Sequence, residues 1–333
     1  MNDQPAVIPP PLPRRTVLAA ALAAVVVPLS GCAGSAGEAA SVASRERVTP
    51  PASERSSASP ERSSASPERS SASPEPSARD LPAPDAAVSK DPERLADALT
   101  RTVGRLRDAI DDWRRTGDPA KGEAPEPVVL LSLYEQRVYR YLARNPAVAS
   151  RTYGKLPKDV AARARDNVTA IRDLLSLAHP VSGPIKIKVR SAEPADALLA
   201  AFRRAERRFG VEWEVLAAVM LVETKFGRVR SPSYVGAKGP MQFMPGTWKA
   251  YGMGGDIDDT GDALLAAANY LHASGAPGDY RRALYAYNHS QAYVDAVLLH
   301  ARQMKRDIRN YYAYYTWQVY VITPKGERRL TGP

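Results

Sequence analysis

Within Trp213–Phe226, the residues Leu216, Val219, Met220 and Glu223 recur at i, i+3, i+4 and i+7, so a helix places all four on one face. An acid is thereby set in an apolar stripe, while Glu212 and Glu214 fall near the helix start. Burial disfavours the charged form of a carboxyl and raises its pKa. Position in the last turn acts the same way, because the negative end of the helix dipole opposes a carboxylate. Each unit of upward shift favours the protonated form by about 1.4 kcal/mol. A carboxyl kept protonated near neutral pH is what a general acid for glycosidic cleavage requires. The competing arrangement is a surface ion pair of Glu223 with Lys225, Arg228 or Arg230, which would leave the acid charged and idle.

Three ordered blocks surround this acid: Val222-Glu-Thr-Lys-Phe-Gly227, then Gly236-Ala-Lys-Gly-Pro-Met-Gln-Phe-Met-Pro-Gly-Thr-Trp248, then Ala286-Tyr-Asn288. Together they resemble the lytic murein transglycosylases, and the second block is closest to the B-type branch. The resemblance covers about residues 195–305. It implies a lysozyme-like α fold, a cleft for peptidoglycan glycan strands, and Glu223 as the sole catalytic acid/base. It further implies that Gln242, beside Met241, meets the N-acetylated sugars, that Tyr287 hydrogen-bonds the Glu223 carboxyl, and that Asn288 supports that corner. Thr224 stands where the family commonly has Ser, keeping a hydroxyl and adding a methyl. Asp256-Ile-Asp-Asp-Thr-Gly261 echoes a calcium loop, yet its twelfth position is Ala267 instead of Glu, so no metal site is expected.

A lone carboxylate fits this chemistry. Inverting hydrolases need a second to activate water and retaining ones need a second as nucleophile. A lytic transglycosylase needs neither, and no cofactor. Two alternatives stand beside it. A goose-type lysozyme on the same scaffold would draw a second carboxylate from Asp256, Asp258 or Asp259, and a wall-binding lipoprotein would have lost turnover. Among the aromatics, Tyr234, Phe243, Trp248 and Tyr251 are candidates for stacking on sugar rings, with core packing as the other reading. The Tyr311–Trp317 cluster reads as a packed helix end. His272, His289 and His300 lack i, i+4 metal spacing, and Ser290 is placed to cap the final helix.

The elements that must position these residues occupy only part of the chain. Residues 1–90 hold 14 of the 29 prolines and none of the 24 Phe, Trp and Tyr residues, so they cannot bury a core. Arg14-Arg15, the apolar run Thr16–Val27 and Leu29-Ser-Gly-Cys32 compose a secretory signal over 1–31, in which Leu-Ser-Gly-Cys looks like the bacterial lipobox. Lipidation of Cys32, the one cysteine, would anchor an exported protein to the outer face of the cell membrane. Residues 32–90 read as a disordered tether, with Ser-Ser-Ala-Ser-Pro-Glu-Arg at 56–62 and 63–69 and a third copy at 70–76 ending in Pro. Residues 91–190 read as a helical accessory region: Leu95, Leu99, Val103, Leu106 and Ile110 fall at helical spacing before Gly117-Asp-Pro119, and further helices are expected over 128–144, stopped by Asn145-Pro146, and over 158–178. Residues 191–333 read as the catalytic domain, in successive helices over 198–209, 213–226 and 245–251, one capped by Asp262 and running through Leu271, then 280–287 and a final helix from 291 to about 317, followed by a small terminal hairpin. The fold class expected is all-α. The net charge of +10 favours anionic partners, but no basic run interleaved with aromatics marks a nucleic-acid site.

Overall fold

The computed structural model describes residues 81–330; the signal-like segment, Cys32 and the Ser/Pro-rich copies lie outside them. Helix α1 (Pro92–Thr116) opens on Asp91, whose carboxylate accepts from the Glu93 and Arg94 amides at 3.2 and 2.9 Å. Its buried stripe is the expected one, Leu95, Leu99, Val103, Leu106 and Ile110. Helices α2 (Glu126–Arg144), α3 (Pro146–Tyr153) and α4 (Lys158–Ser176) follow. The third is an addition to the sequence reading. Asn145-Pro146, taken there as a stop, is also a start, because proline suits the first helical position.

Helices α5 (Ala195–Phe209) and α6 (Trp213–Thr224) are joined through Gly210 in the left-handed region. Then come α7 (Pro245–Tyr251), α8 (Thr260–Ala273) and α9 (Tyr280–Tyr287). The cap of α8 is Asp259, whose side chain accepts from the Asp262 amide at 2.8 Å; Asp262, the expected cap, lies in the first turn. The long final helix breaks into α10 (Gln291–Arg306) and α11 (Arg309–Tyr315) at Asp307, whose carboxylate accepts from the Arg309 amide at 2.9 Å. Ser290 caps α10 as anticipated. Strands β1 (Tyr320–Thr323) and β2 (Gly326–Arg329) pair antiparallel with Tyr320 opposite Arg329. Among the described residues the fold is therefore all-α apart from this hairpin, and no helix is long and apolar enough to cross a membrane.

One hydrophobic cluster runs from Leu95 on α1 to Trp317 beyond α11, so both helical segments share it. Helix α10 packs against both α4 and α6. A buried polar network reinforces the junction: Glu135 on α2 accepts from Arg163 on α4 (Nε, 2.9 Å) and from Tyr139 (2.9 Å), and Arg163 also donates to Asn310 on α11. Residues 81–90, counted into the tether on composition, run along this body. Arg137 and Arg329 both donate to the Pro84 carbonyl, at 3.2 and 3.0 Å, and Leu81 and Val88 pack on the core.

Candidate active site

Helix α6 is apolar on every side, and all its residues from Val215 to Thr224 are buried. Glu223 sits in its last turn and is 2% exposed. Lys225 and Phe226 then take left-handed φ values of 53° and 58°, ahead of Gly227 at 76°. Two such non-glycine residues in succession are backbone strain, of a kind that clusters at functional sites. The chain turns back sharply here, and Val229 donates to the Thr224 carbonyl at 3.0 Å.

Thr224 ties this turn to the second motif. Its hydroxyl donates to the Pro240 carbonyl (2.6 Å) and accepts from the Gly227 amide (2.9 Å). From Pro240 the chain runs into Met241 and Gln242, and Gln242 has φ 50°. Both the amide and the side-chain nitrogen of Gln242 donate to the Gly239 carbonyl, at 3.1 and 2.9 Å. Gly239 is obligatory: its φ is 74°, and a Cβ there would lie 1.9 Å from the Ile257 carbonyl oxygen.

The partner of the acid differs from the one the resemblance implied. Tyr293, near the start of α10, donates its hydroxyl to Glu223 Oε1 at 2.8 Å. Tyr287 donates instead to the Met241 carbonyl at 2.6 Å, which fixes the loop bearing Gln242. Both phenols are raised well above their ordinary pKa by burial and by the nearby Glu223 carboxyl, so both flank the acid although only one bonds to it. Tyr293 carried a signal in the sequence: a tyrosine on an apolar helix face, beside Val294 and Val297, needs a partner for its hydroxyl.

Burial pushes the Glu223 carboxyl up to about 8, against the smaller lowering effects of the Tyr293 hydrogen bond and of Lys225. The surface ion pair is therefore not formed. Lys225 instead donates to the Leu221 carbonyl at 2.8 Å, and Arg228 lies over the Tyr315 ring. Asn288 closes the corner at 4% exposure, with neither end of its amide hydrogen-bonded among the described residues.

Other expected contacts fall differently. Met241 is fully buried in the core, so what it offers the site is its carbonyl and not a surface for substrate. Tyr234 is 41% exposed, with its ring edge against His179. Phe243 is buried edge-to-face between Trp248 and Tyr287, at 5.3 and 5.9 Å, and Tyr251 packs on Tyr270. Tyr311, Tyr312, Tyr314, Tyr315 and Trp317 are all buried, as a packed helix end. The aspartates after α7 serve their own turn: Asp256 accepts from the Asp258 amide and Asp262 from the Asp256 amide, both at 2.9 Å.

Residues 200–310 match the family model described as the Transglycosylase SLT domain. No curated protein and no solved structure matches the chain. The matched span runs from within α5 to the start of α11 and contains Glu223, Thr224, Gln242, Tyr287, Asn288 and Tyr293. The chain thus carries an SLT transglycosylase domain, of the lysozyme-like superfamily, over those residues.

Proposed function

We propose that the SLT domain of this chain cleaves the β-1,4 bond between N-acetylmuramic acid and N-acetylglucosamine in peptidoglycan without water, leaving 1,6-anhydro-muramyl ends. The observation that carries the reading is the state of Glu223: buried, pushed by that burial to a pKa of about 8, and hydrogen-bonded by the phenol of Tyr293. An acid in that state can donate, and among the described residues no carboxylate bonds to it or shifts its titration, so the hydrolytic schemes, which need a second one, are less well served.

In this mechanism Glu223 gives its proton to the glycosidic oxygen as the bond from the muramyl anomeric carbon breaks. The leaving sugar departs with that proton on its new hydroxyl. The muramyl N-acetyl group shares the positive charge that develops on the ring. Tyr293 donates to the carboxylate now present on Glu223, stabilising it for the interval. That carboxylate removes the proton from the same sugar's C6 hydroxyl, whose oxygen closes on the anomeric carbon. Glu223 ends protonated, so the cycle is complete and no cofactor takes part. Gln242, on its strained turn, and Asn288, with an amide free to bond, are the groups assigned to the N-acetylated sugars.

Export and lipid anchoring through Cys32 complete the reading, placing the enzyme at the outer face of the membrane beside its substrate. The decisive experiment is mass spectrometry of digested sacculi. Products one water lighter than hydrolytic muropeptides are expected, and Glu223→Gln should release none. Products of hydrolytic mass would reject the anhydro mechanism in favour of the goose-type lysozyme scheme, and undiminished release by the variant would reject Glu223.

A further inference from the structure

Beyond the acid, the end of α6 walls a cavity of about 70 Å³, together with α2, α4, α10 and the hairpin. Most of that wall is aliphatic, with Leu174 and Val321 among its residues. Its ionisable side chains include four nitrogen bases, Arg140, His179, Lys225 and His300, and no carboxylate. The α2, α4 and hairpin residues of the wall lie outside the span matched by the SLT domain.

On this wall Lys225 is the cation with no ion pair among the described residues. Its ammonium makes one hydrogen bond, to the Leu221 carbonyl, and the carboxyl that feels its charge, Glu223, is kept protonated by burial over most of the neutral range. Arg140 is paired with Glu327 and lies over the Tyr320 ring at 4.4 Å, so its charge is already answered. Burial, with Arg140 nearby, presses the Lys225 ammonium down to about 8, and burial holds His300 down to about 3. A pocket that disfavours its own cation in this way gains from an anion. The space admits only a few heavy atoms, and the aliphatic wall calls for an apolar group on the anion. Inorganic phosphate satisfies the charge alone; a carboxylate beside a methyl satisfies both.

The pocket also adjoins the site along the chain. Val222 and Lys225 bracket Glu223 and both line it, and His179, on its wall, packs edge-to-face with the exposed ring of Tyr234 at 5.6 Å. We propose that this cavity binds the terminal carboxylate of a short alanyl peptide branch carried by the glycan strand, with Lys225 as its counter-ion; the strand-borne source rests on the glycan-cleavage reading above.

The test measures binding to the full chain by calorimetry, with N-acetyl-D-alanine, its amide and inorganic phosphate as probes. The acid should bind, and the amide and phosphate should bind at least roughly tenfold more weakly. Lys225→Met should weaken the acid by roughly tenfold or more, and Lys225→Arg should restore it. Equal affinity for acid and amide, or for wild type and Lys225→Met, would overturn the site. Should Lys225→Met fail to fold, Val321→Trp, which fills the cavity, must abolish binding; retained binding would overturn it equally. Peptide-bearing glycan fragments should displace the acid and peptide-stripped fragments should not, and failure of the former to compete would overturn the strand-borne source. These measurements need no turnover, so their failure is separable from a failure to cleave glycan.

Discussion

The Tyr293 hydroxyl and Glu223 Oε1 meet across 2.8 Å between the start of α10 and the end of α6, and this bond tempers the upward shift that burial gives the acid. A phenol donating to a carboxyl favours the ionised form, so Tyr293 holds Glu223 below where burial alone would put it. Tyr293→Phe should therefore move the alkaline limb of the rate profile, where Glu223 loses its proton, upward by as much as about one unit. It should also slow turnover, by roughly tenfold, because the carboxylate formed after proton donation loses its donor. Rates of glycan cleavage between pH 5 and 10 check both effects; an unchanged alkaline limb would contradict the coupling.

The same burial makes Glu223 a burden on the fold. In the unfolded chain its carboxyl titrates near the ordinary value of 4.5, and in the folded protein near about 8. Between those values the folded state holds a proton that the unfolded state has released, so stability falls as pH rises. Glu223→Gln removes the charge and keeps the shape. The variant should be more stable than wild type by about 3 kcal/mol at pH 7, with the gain fading to nothing as pH falls toward 4.5. Urea melts of both proteins at three pH values measure this, and a gain independent of pH would show that the carboxyl is not the cause.

Much of this arrangement is legible in the sequence, and what is not has identifiable reasons. Periodicity places α1, α2 and α4 because each buries a stripe that repeats at helical spacing. It misses α3, because a proline marks a helix start as readily as a stop, and it fuses α10 with α11, because the apolar face of Val294, Val297, Ala301 and Met304 resumes at Ile308 and Tyr311 beyond Asp307. Glu223 was found because a carboxyl inside an apolar helix is conspicuous. Its partner was not, since Tyr287 lies in a motif and Tyr293 among apolar residues on a helix that only the tertiary fold brings to α6. The left-handed backbone at Lys225, Phe226 and Gln242 leaves no trace in residue type, as glycine or asparagine would have marked it.

Thr224 offers a test of how the acid is positioned. Its hydroxyl satisfies the Gly227 amide and the Pro240 carbonyl at once, so Thr224→Val leaves two buried groups unpartnered. The expected loss is about 2 to 4 kcal/mol of stability, accompanied by a fall in activity as the Gln242 loop loosens. Thr224→Ser keeps both bonds and gives up one methyl, for about 1 kcal/mol. Thermal melts and cleavage rates of the two variants separate the hydroxyl from the methyl, and equal behaviour would remove the hydroxyl from the account.

Gly239 tests the other side of that loop. An alanine there meets the Ile257 carbonyl oxygen in a left-handed conformation, so the turn must open. Because the Gly239 carbonyl holds Gln242 twice, Gly239→Ala should depress cleavage far more than it depresses the melting temperature. A variant with wild-type kinetics would show that the fixed position of Gln242 is dispensable.

The pair Glu135–Arg163 asks whether α2 and α4 are integral to the body that holds the site. Both side chains are buried, at 0% and 4% exposure, and the bridge spans 2.8 Å. Removing one partner strands the other charge in the interior: Glu135→Leu leaves Arg163 with only Asn310, and should cost about 3 to 5 kcal/mol. The double variant Glu135→Leu with Arg163→Met removes both charges and should recover most of that loss, since a buried ion pair gives little net stabilisation over apolar packing. The cycle has a second readout. Arg163 reaches α11, and α11 packs against α6, so loosening at this bridge should lower glycan cleavage in the single variant and restore it in the double. Cleavage unaffected in Glu135→Leu, despite lost stability, would mean that the catalytic helix is held independently of the helices before residue 191.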